Sequence, residues 1–302
     1  MDWVTKGRSF HEDIRLPVVA AANRFIDDVG RIEDRYKLFV VHHGQFVAGI
    51  RGKRFLIGER SLLFLNERDT LTVEECTDLD YSAVVFHPSL INSQFNCATV
   101  RSPGAHFGET DKLDLHILVP FFADTEIRHF RLGQLAYHRI NRQFTTIQKM
   151  LGQQNEKYWP CKARSAAIEV LFLLRAMYDG EQSSGTTALD NIGDTISRVI
   201  LSLHSNYGSR ITINGLARSF HTNRTTLSGH FKERTGASIV EYVNRLRIEI
   251  ACQLLRDTSC PVGEIAERTG FPDLSNFGRT FKRRVGLSPS RYRGQRDGIP
   301  PH

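Results

Sequence analysis

Between Tyr36 and Pro88 the chain alternates short apolar runs with turn residues. "KLFVVHH", "QFVAGIRG", "RFLIG", "SLLFLN", "TLTVEE" and "YSAVVFHP" are punctuated by Gly44, Gly52, Gly58 and the polar stretch Asn66 to Asp69. Short runs rich in β-branched and aromatic residues, bounded by such breakers, predict strands. Several in quick succession predict a sandwich or a barrel. Residues 89–125 show no clear period. Beyond them the spacing becomes helical. Glu126 to Leu151 predicts one helix, and Lys162 to Asp179 a second with a broad apolar face. "GEQSSGTTALDN", Gly180 to Asn191, is polar and predicts a linker. Everything after it reads as helix, starting with "IGDTISRVILSLHSNYG". The expected class is α+β: a β-barrel over residues 1–125, flanking helices over 126–179, a linker at 180–191 and an all-α domain over 192–296.

The helical end repeats itself. "FKERTGASIVEYV", from Phe231, returns as "FKRRVGLSPSRYR", from Phe281. "LARSF" before the first copy is echoed by "IAERTGF" before the second. Each copy opens with a short helix carrying small and apolar residues: Ile213, Leu216 and Ala217, then Ile265 and Ala266. A turn follows, then Asn223 or Asp273, whose side chains can accept from free helix amides. Leu227 and Phe231, or Phe277 and Phe281, stand four apart and mark a buried face. Gly236 and Gly286 are helix stops. Ser238 with Glu241 predicts a capping box, and Ser288-Pro289 starts the matching helix. Two short helices joined by a tight turn make a helix-turn-helix, and the second of such a pair enters the DNA major groove. The segment between the copies carries one apolar stripe, Ile239, Tyr242, Val243, Leu246, Ile250 and Leu254. A helix there spans about 27 Å, enough to set two reading helices on successive groove faces.

Charge supports this reading. The net charge of the chain is +7. From Leu189 onward there are 17 Lys and Arg against 10 Asp and Glu, so the whole surplus lies in the part with the repeat. The first 188 residues balance. A basic module joined to a neutral one suits an anionic polymer, with a merely solvated basic surface as the alternative. The five scattered cysteines have no metal-ligand spacing and suggest reduced thiols. The N-terminus lacks the apolar core of a signal peptide, and no run is long enough to span a membrane. A cytoplasmic protein is expected.

Residues from about Thr195 to Arg293 resemble the DNA-binding domain of AraC/XylS-type transcription regulators. The resemblance rests on "ITINGLARSFHTNRTTLSGHFKERTGASIVEYVNRLRIEIACQLL" and "VGEIAERTGFPDLSNFGRTFKRRVGLSPSRYR". More loosely, "GQFVAGIRGKRFLIGERSLLFLNERDTLTV" resembles that family's cupin-like effector domain. The resemblance implies a regulator, usually an activator, that responds to a small-molecule effector. It implies double-stranded DNA with half-sites about one helical turn apart and RNA polymerase as partners, and often a homodimer.

Reading residues follow from the helix faces. In the second copy Ser275, Asn276, Arg279 and Arg283 lie opposite Phe277 and Phe281. Arg279 is the first choice for a base, because a guanidinium grips guanine N7 and O6 together. Phosphate contact is its alternative role, and the expected role of Arg283 and Arg284. In the first copy the groove-facing set is Arg224, Thr225, Ser228 and Gly229, with Lys232 on the same helix. Family members often carry longer polar side chains where this chain has Ser228 and Gly229. Either Arg224 and Thr225 read bases, or this copy mostly positions the protein.

A metal-dependent cupin enzyme fused to a DNA reader is the alternative for the first half. His42 and His43 are adjacent, so on a strand they point to opposite faces, and no His-x-His occurs. No catalytic residue, metal or cofactor is therefore nominated. Arg35, His42 and Tyr81 are the candidate polar groups for an effector pocket. A ligand-free domain serving only partner or subunit contacts is the third possibility.

Overall fold

The computed structural model describes residues 3–8, 14–23, 26–102, 109–123, 126–156, 159–182, 195–257 and 260–294. The chain divides into two compact units. One comprises residues 1–5, 16–107 and 111–193, the other 6–15, 108–110 and 194–302.

Two short strands, β1 (Thr5–Lys6) and β2 (Arg15–Leu16), pair with each other. The main sheet has six strands: β3 (Val18–Ala22), β4 (Tyr36–Ile50), β5 (Lys53–Ile57), β6 (Ser61–Leu65), β7 (Leu71–Phe86) and β8 (His129–Arg131). Their order is β3-β7-β4-β6-β8, with β5 also on β4. Among the described residues no pairing joins β3 to β8, so the sheet is open and the expected closed barrel is not formed. Closure needs a ladder between the two end strands, and β8 is only three residues long.

The six expected runs are partly merged. "KLFVVHH" and "QFVAGIRG" form one strand, β4, and "TLTVEE" and "YSAVVFHP" lie on one strand, β7. Gly44 makes no turn. It sits at φ 79° inside β4, where the register with β7 shifts between Val41 and His43 and again before Gln45. A Cβ there would lie 2.4 Å from the carbonyl oxygens of Thr77 and Asp78. Glycine lets the strand bulge and bend where a side chain would break it.

The strands between the two faces of the sheet are buried on both. One face carries Phe39, Val41, Leu63, Leu65, Tyr81, Ala83 and Val85 into a core completed by α1 (Ile26–Gly30). The other carries Leu38, Val40, Leu62, Phe64, Val84 and Phe86, each at most 2% exposed. On this unit's chain follow a 3-10 turn at Pro88–Leu90 and the helices α2 (Cys97–Arg101), α3 (Glu109–His116), α4 (Val119–Phe122), α5 (Gln134–Gln153) and α6 (Trp159–Gln182). Helix α5 packs on β3, β7 and α6. The helix expected from residue 126 starts only at 134. Residues 129–131 pair with β6 instead, Phe130 opposite Leu62. Alternating burial through "HFRL" agrees with a strand, and Gly133 then caps the helix. Of the expected linker, residues 183–191 lie outside the described residues, and α6 reaches Gln182.

A buried carboxylate ties the sheet loops together. Asp69 accepts from Arg51, from Arg128 Nε at 2.9 Å and from the Asn66 amide at 3.0 Å. The Lys37 ammonium, 1% exposed as a residue, donates to the Asn66 carbonyl at 3.1 Å. Burial pushes Lys37 down to about 8.

The second unit contains seven helices among the described residues: α7 (Thr195–Asn206), α8 (Ile213–Ser219), α9 (Arg224–Thr235), α10 (Ile239–Asp257), α11 (Val262–Arg268), α12 (Leu274–Val285) and α13 (Pro289–Gly294). Helix α10 is the spine and packs on α9, α11, α12 and α13. Its stripe Ile239, Tyr242, Val243, Leu246, Ile250 and Leu254 is buried, as its spacing predicts. Arg247 locks the spine to its neighbours, donating to the carbonyls of Tyr207 and Ser209, both at 2.8 Å, and lying over the Phe271 ring.

Candidate nucleic-acid interface

The pairs α8–α9 and α11–α12 share most of their local rules, although α11 has Pro261 at its N-cap position and no side-chain cap. Thr212 caps α8, accepting from the Gly215 amide at 3.1 Å. Asn223 caps α9, accepting from the Thr226 amide at 2.8 Å. Asp273 caps α12 in the same way through the Asn276 amide at 2.6 Å. Both second helices are 12 residues long and stop at a left-handed glycine, Gly236 or Gly286. Leu227, Phe231, Phe277 and Phe281 are at most 1% exposed. Burying each such side chain contributes about 1.5–3 kcal/mol. Ser238 and Glu241 exchange bonds as a capping box: the Ser238 amide donates to Glu241 at 2.9 Å, and the Glu241 amide to Ser238 Oγ at 3.3 Å.

The turns between the helices also match. The Thr222 amide donates to Ala217 at 2.9 Å, and the Phe271 amide to Ala266 at 3.0 Å. Both turns need a left-handed residue one position earlier. The second copy has Gly270 at φ 79°, and the first has His221 at φ 51°. A Cβ on Gly270 would meet the Tyr207 carbonyl at 2.7 Å and Arg247 Nη2 at 2.9 Å.

Opposite the phenylalanines, the second helices present their polar face. On α9, Arg224, Thr225, Gly229 and Lys232 are exposed and Ser228 is half-buried. On α12, Ser275, Arg279, Arg283 and Arg284 are exposed. Asn276 is half-buried, and its Oδ1 accepts from Thr280 at 3.2 Å. Lys282, also exposed, joins Arg279, Arg283 and Arg284 in a basic cluster that the sequence reading left one member short. No ion pair among the described residues engages Arg224, Arg279, Lys282 or Arg283. Counted from the caps Asn223 and Asp273, the two helices correspond residue by residue. Arg224 overlays Leu274, and Ser228 overlays Gly278.

A helix-turn-helix domain model matches residues 216–295, from within α8 to the end of α13. A transcriptional activator RhaS from Enterobacter sp. (strain 638) is 25% identical over 87% of both chains. RhaS from Escherichia coli O139:H28 is 25% identical over 88% of this chain and 87% of that one. The chain is similar to AraC-type regulators, and its helix-turn-helix part carries the resemblance. It is a DNA-binding transcription regulator. Among solved structures, the C-terminal domain of AraT from Geobacillus stearothermophilus is 27% identical over 36% of this chain and 94% of that one, with a TM-score of 0.34.

In the first unit the three candidate effector residues do not converge. Val41 pairs with Tyr81 and Val40 with Ser82, so neighbouring positions alternate between the faces. Tyr81, 3% exposed, belongs to the apolar core. His42 lies on the helix-covered face, bonded to Tyr137 Oη at 3.0 Å and Ser82 Oγ at 2.9 Å. Gln148 Nε2 donates to the same Ser82 oxygen at 2.9 Å. Burial holds the His42 imidazole below the usual histidine range. Arg35 donates to the Asp34 carbonyl at 2.9 Å, just before β4. An open groove of about 600 Å³ lies at the β4 bulge, lined in part by His43, Gln45, Leu56, Glu59, Asp78 and Arg131. His43 Nε2 stands 3.4 Å from Asp78, and Nδ1 3.9 Å from Glu59. No described helix is long and apolar enough to cross a membrane.

Proposed function

We propose that this regulator is a cytoplasmic activator that reads two half-sites about one helical turn apart and responds to a small molecule held by its first unit. The observation that carries the reading is the matched pair α9 and α12, each capped, each anchored on a buried apolar stripe, each polar or basic on the opposite face. The 19-residue α10 spans about 28 Å, close to the roughly 34 Å between successive major-groove faces. We assign Arg224, Thr225, Ser228 and Gly229 to the groove floor from α9, with Lys232 on phosphate. From α12 we assign Ser275 and Arg279 to bases, Asn276 to its helix edge, and Lys282, Arg283 and Arg284 to phosphates. Activation follows the description of the RhaS relatives as transcriptional activators, and RNA polymerase is the partner this reading adds.

The remaining roles are divided along the chain. Residues 1–125 sense, 126–179 carry the helices for a homodimer, 180–191 link, and 192–296 bind DNA. The first unit does no chemistry in this reading. The groove beside the β4 bulge is its effector site, suited by its histidine, carboxylates, amide and guanidinium to a polar ligand. The deciding experiment retains sheared DNA of the source organism on the full-length protein at near-physiological salt. Sequencing should return a narrow set of sites with two short blocks one helical turn apart. Retention with no shared sequence, with or without candidate effectors, would sink the specific reading. A polar effector should raise the melting temperature of the wild type and leave that of Arg131→Ala unchanged. No shift with any compound would leave the first unit to partner contacts.

A further inference from the structure

The two reading helices correspond position by position. Their caps are Asn223 and Asp273, their buried pairs Leu227–Phe231 and Phe277–Phe281, and their stops Gly236 and Gly286. The first helical residue is therefore Arg224 in one copy and Leu274 in the other. Leu274 is 54% exposed, a large apolar side chain on a helix whose other outward residues are polar or basic. Gly278 follows four positions later on the same side of α12. A Cβ on Gly278 would meet nothing within 4 Å, so packing inside the protein does not call for glycine there. Glycine weakens a helix interior, and its use at a half-buried position with open space beside it fits the close approach of another molecule.

The end of α12 that enters a major groove is its N-terminal end, where Leu274 stands. In that groove thymine is marked by its C5-methyl group, and an apolar side chain is what recognises it. We propose that Leu274, beside the bare backbone of Gly278, reads a thymine through that methyl group. This rests on the assignment of α12 to the groove. Arg224 at the matching place in α9 offers a guanidinium instead, suited to guanine N7 and O6. The two half-sites then differ at equivalent positions, and the protein recognises an asymmetric pair rather than a direct repeat. A lone exposed leucine is ordinary. Its place at the groove-entering end, its overlay on Arg224 and the open Gly278 one turn later single this one out.

The test uses the full-length protein and a site retained from genomic DNA. Each thymine is replaced in turn by deoxyuridine, which removes the methyl group and leaves the hydrogen-bonding edge intact. At one position wild-type affinity should fall about three- to tenfold, the scale of one buried methyl. Leu274→Ala should bind thymine and deoxyuridine equally there, and Leu274→Met should keep a preference for thymine. Because Leu274 is exposed, unchanged melting temperatures would show that both variants fold. Equal binding of thymine and deoxyuridine at every position by the wild type overturns the inference and leaves the DNA reading standing. So does a thymine preference that survives in Leu274→Ala. A protein that retains no specific site loses the DNA reading and this inference together.

Discussion

His221 is held where the backbone favours glycine. Its φ of 51° matches that of Gly270 in the second copy, at 79°. The left-handed region costs an L-residue about 1–2 kcal/mol, though histidine is among those that enter it most readily. His221→Gly should stabilise the protein by about 0.5–1 kcal/mol, read as a higher melting temperature. Loss of stability instead would show that the imidazole makes a contact worth more than the strain. Side chains on the outer face should separate by role. Arg279→Ala should cost about 1–3 kcal/mol of specific affinity and relax one base of the site, scored on a panel of single-base variants. Lys282→Ala should weaken all sequences alike and lower the salt slope by about one. The exposure of Arg279 was legible from helical spacing alone. Leu274 was not, because polarity was the filter and a leucine on a helix ordinarily points inward.

Helix ends decide where the reading elements start. The Asp273 carboxylate satisfies a free amide of α12 and sits at the positive end of the helix dipole. Asp273→Ala should lose about 1 kcal/mol of stability, and Asp273→Asn much less, by denaturant titration. Caps, stops and the α10 stripe were readable in sequence because each depends on residues within one or two turns. The strands were less so. Gly44 reads as a turn in isolation and is a bulge in the fold, because β7 runs alongside both halves of β4. Residues 129–131 read as helix and are strand, because an edge of β6 was available to pair with them. Local propensity is a weak prior against a ladder supplied by a distant segment.

Across the whole molecule, two titrations can be separated. His42, His87 and His129 all lie below the usual histidine range, chiefly through burial, and His87 is pushed down to about 4. The His87 ring bonds the hydroxyl of Ser89 at 2.7 Å and accepts from its amide at 3.2 Å. The folded values lie below the unfolded value of 6.5, so the unfolded chain takes up protons first. Stability should be full above about pH 6.5 and decline as the pH falls towards 4. His87→Asn keeps a capping acceptor without the titration, and melting curves from pH 7 to 4 should show a shallower decline. DNA binding follows the opposite unit, where the charge surplus lies. Its affinity should fall steeply with added salt as phosphates regain counterions, measured by anisotropy over a salt series.

By itself the sequence determined the α+β class, the two copies of the helix-turn-helix and their caps, stops and buried phenylalanines. These are periodic or short-range features, set by spacing and by hydrogen bonds a few residues apart. Tertiary structure decided that the sheet is open, that β4 and β7 are long and bent, and that Tyr81 and His42 face opposite ways. It also decided which residues of α12 are exposed, including Leu274, a leucine that composition would have sent to the core. Strand pairing and exposure depend on which distant segments pack together. That information is spread over the whole chain rather than held in any one stretch of it.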